Sequence, residues 1–138
     1  MSSIPSIAAV FLRKHRLIAV SRRALTADTY PDHWQNVGGK VHADEDPIAA
    51  AVRETIEEAG LTIDQSRFRQ IDETTCDDQS GGPYRVFVFV VDLADREQPI
   101  QAEPQKAGPW YFMRPDDVPH LKPVVPALLQ SLASLNRS

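Results

Sequence analysis

The chain has 138 residues, 42% of them hydrophobic, which suits one domain with its own core rather than two. Fifteen basic and nineteen acidic residues give a formal net charge of −4. That balance argues against a general binder of nucleic-acid polymers but leaves room for a small phosphorylated ligand held by local cations or by metal.

The single cysteine, Cys76, excludes an intramolecular disulfide and fits a reducing compartment. No apolar run approaches the ~20 residues needed to span a bilayer. The opening Met1-Ser-Ser-Ile-Pro5 lacks a secretory pattern, so a cytoplasmic protein away from membranes is expected. Ile7 to Leu12 reads as a buried strand and Leu17 to Val20 as a second, with a tight turn at His15-Arg16. Thr26 to Asp32 is polar and contains a proline, which makes it loop. Asp46-Pro47 forms a helix start, an N-cap followed by proline at the first helical position, and Gly60 is the matching stop. Phe68 to Thr74 is a strand, Asp77 to Pro83 a loop, and Tyr84 to Val91 the strongest strand of the chain. Trp110 to Met113 is a further strand and Val124 to Leu135 a closing amphipathic helix. With no repeat, low-complexity tract or linker, residues 1–138 are expected to form one α/β domain, a mixed sandwich of sheet and helices.

The segment Gly38 to Leu61, GGKVHADEDPIAAAVRETIEEAGL, carries the chemistry. At 100° per residue, Ile48, Val52, Thr55 and Ala59 form one stripe, the face expected to meet the sheet. Glu54, Glu57 and Glu58 fall together on the opposite side, related as i, i+3 and i+4. Like charges at that spacing cost roughly 0.2–0.5 kcal/mol per pair. Near the helix C-terminus the dipole adds about 0.3–1 kcal/mol against each anion. Arg53 is the one cation close in sequence, whereas a solvated acidic face normally interleaves lysine. Two readings follow from the residues alone, a site for a hard divalent cation with oxygen ligands or a solvated acidic patch.

The same segment matches the Nudix box: Gly39, five residues, Glu45, seven residues, Arg53-Glu54, then Glu57-Glu58, Ala59, Gly60 and the aliphatic Leu61. On these residues the chain is identified as resembling the Nudix hydrolases. Thr55 departs from the pattern, which favours an aliphatic residue there. Its γ-methyl can still pack, and its hydroxyl can bond back to a carbonyl one turn earlier. The resemblance implies an α/β/α sandwich with a mixed sheet and a catalytic loop–helix–loop. It implies magnesium as cofactor, with manganese as an alternative. It makes Glu54 and Glu58 the principal ligands, and Glu57 a third ligand or a water-positioning group. By the same resemblance Arg53 pairs with a motif carboxylate, Glu45 joins that network, and the Gly39 carbonyl is a further candidate ligand.

Outside the box, Glu103 in Ala102-Glu-Pro-Gln-Lys106 resembles a distal glutamate of MutT-type members that ligates a further metal or acts as general base; the alternative is an ordinary loop glutamate. Lys40, Arg22 and Arg23 are candidate phosphate contacts, and Tyr84 and Arg85 stand at a strand entrance where a base edge could be read. Trp34, Phe87, Phe89 and Trp110 could stack a base, although aromatics on strands are usually core. The four histidines show no ligand spacing and are expected at the surface, and Cys76 is expected to be inert. Where ADP-ribose hydrolases carry a proline sixteen residues past Gly60, this chain has Cys76. Where dinucleoside polyphosphate hydrolases carry a tyrosine, it has Asp77 and Asp78. The Glu-Pro-x-Lys and Trp stretch resembles members that cleave nucleoside triphosphates. The expected reaction is therefore hydrolysis of a (deoxy)nucleoside triphosphate to monophosphate and pyrophosphate. Nucleotide sugars or another nucleoside diphosphate derivative are the alternative substrates. A non-catalytic nucleotide-sensing domain would have lost box glutamates, and none is lost. The partner is a small nucleotide, and the protein is a monomer or homodimer.

Overall fold

The computed structural model describes residues 4–78 and 82–137. Strand β1 (Ser6–Lys14) organises the sheet. Its successive side chains alternate between two cores, Ala8, Val10 and Leu12 on one face and Ala9 and Phe11 on the other. It runs antiparallel to β2 (Leu17–Arg22), through Arg13↔Ile18 and Lys14↔Leu17. The intervening His15 and Arg16 both take positive φ, 52 and 65, the tight hairpin turn the sequence predicts.

A two-residue strand, β3 (Trp34–Gln35), pairs with β2, and β4 (Val37–Lys40) lies antiparallel to the first half of β1, with Ala9↔Gly38 and Ala8↔Gly39 in register. The same strand β1 is thus paired with β2 at its end and with β4 at its beginning. Strands β5 (Arg69–Asp78) and β6 (Gly82–Asp92) form an antiparallel hairpin, and β6 runs parallel to β1 from Ser6↔Arg85 to Arg13↔Asp92. Strand β7 (Tyr111–Met113) adds to β2.

Helix α1 (Pro47–Ala59) covers one face of the sheet and α2 (Pro126–Leu135) the other, the α/β/α sandwich expected. Among the described residues no helix is long and apolar enough to cross a membrane.

Several boundaries move. Strand β5 runs on to Asp78, past the predicted Thr74, because its ladder with β6 continues to Asp78↔Gly82. Of the loop expected over 77–83, residues 79–81 lie outside the described residues, and the flanking positions pair as strand. Helix α2 starts at Pro126, which takes its first turn, and Trp110 precedes β7 instead of opening it. The two short strands β3 and β4 carry no alternating apolar pattern and were not expected.

On α1, Asp46 holds the N-cap position but its side chain makes no capping hydrogen bond. Thr55 is fully buried and its Oγ1 donates to the Ala51 carbonyl at 2.8 Å, so the departure from the box is absorbed as the sequence suggests. The buried side of the helix is Ala50, Ala51, Glu54, Thr55 and Ala59, with Ile48 and Val52 half-buried at its margin. Glu54 therefore belongs to the buried face and not to the opposite one. Gly39 of β4 faces it, and without a Cβ there the helix comes close enough to enclose the carboxylate.

Gly60 ends the helix at φ 66, its N–H bonded to the Ile56 carbonyl at 3.1 Å. A Cβ there would also meet Ile100 Cγ1 at 2.6 Å. Gly60→Ala is expected to cost about 1–2 kcal/mol of unfolding free energy, the penalty of a left-handed non-glycine residue. Adding Ile100→Ala should not restore the loss, because the strain lies in the backbone. Urea unfolding of the single and double variants checks this, and full rescue would place the cost in the side-chain contact.

Candidate active site

Two glycines of β4 decide how the glutamates sit. A Cβ on Gly39 would lie 2.2 Å from Glu54 Oε1, so only glycine leaves room for the carboxylate against the strand. The Gly38 N–H donates to Glu58 Oε1 at 3.2 Å, and Trp110 Nε1 donates to the Glu58 carbonyl at 3.0 Å, which ties the end of α1 to the β7 edge. Burial pushes the Glu58 carboxyl well above the usual carboxylate range, and the hydrogen-bonded Glu54 beside it pushes in the same direction.

Arg53 supplies the positive charge. Its Nε and Nη2 form a two-pronged contact with Glu45, at 3.0 and 2.8 Å. Nη1 reaches Glu54 Oε1 at 2.7 Å and Glu57 Oε2 at 3.3 Å, and Nη2 also donates to the Lys40 carbonyl at 2.9 Å. One guanidinium thus joins three box carboxylates to the end of β4. The Arg53 fork, aided by the His42 N–H, holds Glu45 down at about 2 against an ordinary 4.5.

Glu54, Glu57 and Glu58 line a cavity of about 540 Å³ together with Gly38, Gly39 and Lys40. Glu103 lines it too, so the distal glutamate is brought to the box carboxylates by the chain between β6 and β7. That chain is braced by Gln101, whose amide donates to the Gly108 carbonyl and whose Oε1 accepts the Glu103 N–H at 2.9 Å. Lys106 Nζ stands 3.1 Å from Glu103 Oε2 and also faces the cavity.

Of the candidate phosphate contacts, Lys40 lines the cavity, and Arg23 lines it while its guanidinium is bonded to Thr29 and Gln35. Arg22 lies outside the lining, paired with Asp32 and set over the Trp34 ring. Tyr84 lines a second cavity of about 370 Å³ that shares Gly38, Gly39 and Lys40 with the first. Arg85 lines neither and pairs with Glu73.

Phe89 is buried and Phe87 packs on the α1-side core, as ordinary strand aromatics do. Trp110 and Trp34 pack at the margins of the two cores. Cys76 is buried with its thiol pushed up by burial, in keeping with an inert residue. Sequence reading missed Gln101 as a site residue and took Lys106 only as part of the Glu-Pro-x-Lys stretch, because both arrive through the fold of the connection before β7.

The donors facing the first cavity suit a hard divalent cation. They are carboxylate oxygens, the class magnesium takes. Burial and the neighbouring Glu54 both disfavour an ionised Glu58, a penalty a cation would relieve. Gly38 and Gly39 of β4 line the cavity beside them. Among the described residues no three acidic, histidine or cysteine side chains form a preformed cage, since Arg53 engages Glu54 and Glu57.

An α/β/α sandwich with this glycine-loop and glutamate-helix site is the arrangement that the Nudix resemblance implies. The chain belongs to the NUDIX domain family, whose sequence profile matches residues 3–135. It is 34% identical over 71 residues to mouse "Diphosphoinositol polyphosphate phosphohydrolase 3-alpha", a match covering 51% of this chain and 41% of that protein. The chain thus matches about two fifths of the length of that relative. A MutT NUDIX hydrolase from Burkholderia pseudomallei superposes with a TM-score of 0.82 at 20% identity, over 97% of this chain and 99% of that one. A C. elegans Ap4A hydrolase superposes with a TM-score of 0.74 at 18% identity, over 97% and 96%. At these identities the likeness is one of fold.

The Arg53–Glu45 pair sets an acid dependence. Glu45 lies below its unfolded value of 4.5, so its stabilisation is complete above that pH and is lost as pH falls toward about 2. Glu97, held at about 2 by Arg67, contributes in the same window. The thermal midpoint should fall steeply between pH 4.5 and 2, and Glu45→Gln with Glu97→Gln should flatten that fall. A double variant that keeps the wild-type slope would assign the acid sensitivity elsewhere.

Proposed function

We propose that the protein hydrolyses a phosphoanhydride bond in a nucleoside diphosphate linked to a further group, with magnesium as cofactor. A (deoxy)nucleoside triphosphate giving monophosphate and pyrophosphate is the reading the residues support best. One observation carries it: Glu54 lies against Gly39 and Glu58 against the Gly38 N–H, in a cavity that Glu57, Glu103 and Lys40 also line.

Glu54 and Glu58 would hold the metal, with Glu57, Glu103 and the Gly39 carbonyl as the further oxygen donors. When bound, magnesium neutralises phosphate charge and activates water. The chain's own residues do the rest. Arg53 keeps Glu54 and Glu57 in fixed rotamers and prevents the acidic turn from splaying. Lys40 is the side-chain cation available to phosphate oxygens, since Arg23 is occupied in holding its own loop and Lys106 pairs with Glu103. Glu103 would accept a proton from the attacking water, whose oxygen bonds to phosphorus as the bridging oxygen leaves with the second phosphate. Carboxylates outnumber cations around the cavity, so a polyphosphate could not enter without added positive charge.

The name of the mouse relative gives a second reading, a diphosphoinositol polyphosphate as substrate. That ligand carries phosphate over most of its surface and asks for many cations. The largely apolar second cavity beside the first favours a substrate with an uncharged end.

Turnover of nucleoside triphosphates should vanish in excess chelator and return with millimolar magnesium; full activity in chelator would end the metal-dependent reading. Glu54→Gln and Glu58→Gln should each lower kcat by several orders of magnitude, and Glu58→Gln should melt at or above the wild-type temperature in metal-free buffer because an enclosed carboxylate pair is relieved. Near-normal turnover in either would remove it from the principal ligands. Glu103→Gln should lower turnover by roughly 10²–10⁴-fold with little change in KM, the loss typical of an acid–base group. A pH–rate profile that keeps both its height and its acidic limb would make Glu103 an ordinary loop residue.

A further inference from the structure

Two buried side-chain polar atoms lack a hydrogen-bond partner among the described residues, Asn36 Nδ2 and the Tyr30 hydroxyl. Both residues line the second cavity. Asn36 is 5% exposed. An unpaired buried donor costs roughly 1–3 kcal/mol, so two of them on one small cavity call for an explanation.

The backbone around them is built to keep them there. Tyr30 sits at φ 47 and Asp32 at φ 65, left-handed conformations that a non-glycine residue adopts at a cost. The loop is held in that shape by Arg23, whose Nε donates to the Thr29 carbonyl at 2.9 Å and whose Nη2 reaches Thr29 Oγ1 at 3.2 Å. Arg23 N–H also donates to the His33 carbonyl, and the Asp32 N–H to that of Ala24. On the other side, the Trp34 N–H bonds to the Pro123 carbonyl and the Val125 N–H to that of Trp34, which fixes the segment carrying Asn36.

Most of the remaining walls are apolar or aromatic, including Ile7, Ala9, Pro83, Tyr84 and Val125, with Arg23, Thr29, Gln35 and Lys40 as the polar ones. The cavity opens onto the carboxylate site along Gly38, Gly39 and Lys40. It has the dimensions and chemistry for a flat ring with a few polar atoms on one edge, joined through a short linker to a phosphate chain.

We propose that Asn36 and Tyr30 are specificity-determining residues that bind the carbonyl edge of a heteroaromatic base, so that this protein selects nucleotides with a keto base over those with an amino base. This rests on the proposed nucleotide substrate and says which nucleotides. Asn36 Nδ2 can only donate, and a phenol hydroxyl donates readily, so the two atoms match a ring edge that presents acceptors. A 6-oxopurine or a pyrimidine dione presents a carbonyl oxygen there. Adenine and cytosine present an amino group instead, leaving donor against donor and Asn36 still unpaired.

Calorimetric titration of the magnesium-loaded protein with non-hydrolysable α,β-methylene triphosphates of guanosine, uridine, adenosine and cytidine tests the assignment apart from turnover. The guanosine and uridine analogues should bind roughly 10–100-fold more tightly than the adenosine and cytidine ones. Tyr30→Phe and Asn36→Leu should each shrink that preference while leaving the weaker affinities unchanged. Asn36→Leu should melt no lower than wild type, since it removes an unsatisfied amide rather than a structural bond. Equal affinity across the four analogues, or a preference surviving in both variants, overturns the proposal. Selective binding of keto analogues without cleavage of the parent triphosphates would leave the base selection standing and refute the proposed reaction.

Discussion

Everything in the acidic site depends on one guanidinium. Helix α1 places Glu54, Glu57 and Glu58 within one turn and a half near its C-terminal end, where both mutual repulsion and the helix dipole oppose them. Arg53 answers from the preceding position on the same helix. Its planar fork takes Glu45 with two bonds, and its remaining donors reach Glu54, Glu57 and the carbonyl of Lys40. A lysine could neutralise one charge but could not span these partners, because an ammonium offers a point charge without the fixed fork. The loop before the helix, the helix itself and the end of β4 are thereby joined through a single side chain.

That joining works only because β4 has no side chains at Gly38 and Gly39. The strand lies in register with Ala8 and Ala9 of β1, and α1 presents alanines above it. Small residues on all sides let the helix settle close, and the carboxylate of Glu54 is enclosed where a Cβ would otherwise stand. The same contact that stabilises the fold therefore builds the site, and loosening one would loosen the other. Glu58, meanwhile, is held by the Gly38 N–H and through its carbonyl by Trp110, so β4 and the β7 edge grip it from two directions.

The core of this plan was legible in the sequence because it is local. Glycine, carboxylate and arginine spacings over Gly38 to Leu61 specify a loop, a helix and a cluster without any distant contact. The strand β1 was equally plain, as an apolar run buried on both faces. What escaped was whatever depends on parts of the chain meeting from afar. Strands β3 and β4 are short and pair only because β2 and β1 offer edges to them. Arg22 and Arg23 looked like phosphate ligands in a list of cations, yet Asp32, Thr29 and Gln35 engage them. Glu54 was assigned to the open face of its helix, since periodicity cannot reveal that the opposing strand is bare.

The two cavities divide the labour of recognition along a shared rim. On one side stand carboxylates with few free cations, a surface that repels phosphate until positive charge is added. On the other stand mostly apolar walls that also carry Asn36 and Tyr30, whose buried amide nitrogen and hydroxyl lack partners among the described residues. A ligand satisfying only one side meets either uncompensated repulsion or an exposed apolar end. The backbone of Gly38 to Lys40 separates the two by a few residues, so a compound must change from polyanion to flat ring over a comparably short distance. On the proposed reading a nucleotide makes that change across a single sugar, with Arg53 holding one rim and Arg23 the loop at the other. Affinity at each side is then a condition on the other. The loop that strains Tyr30 into place acts on the same choice of ligand as the helix that crowds its glutamates, although the two lie in separate parts of the sequence.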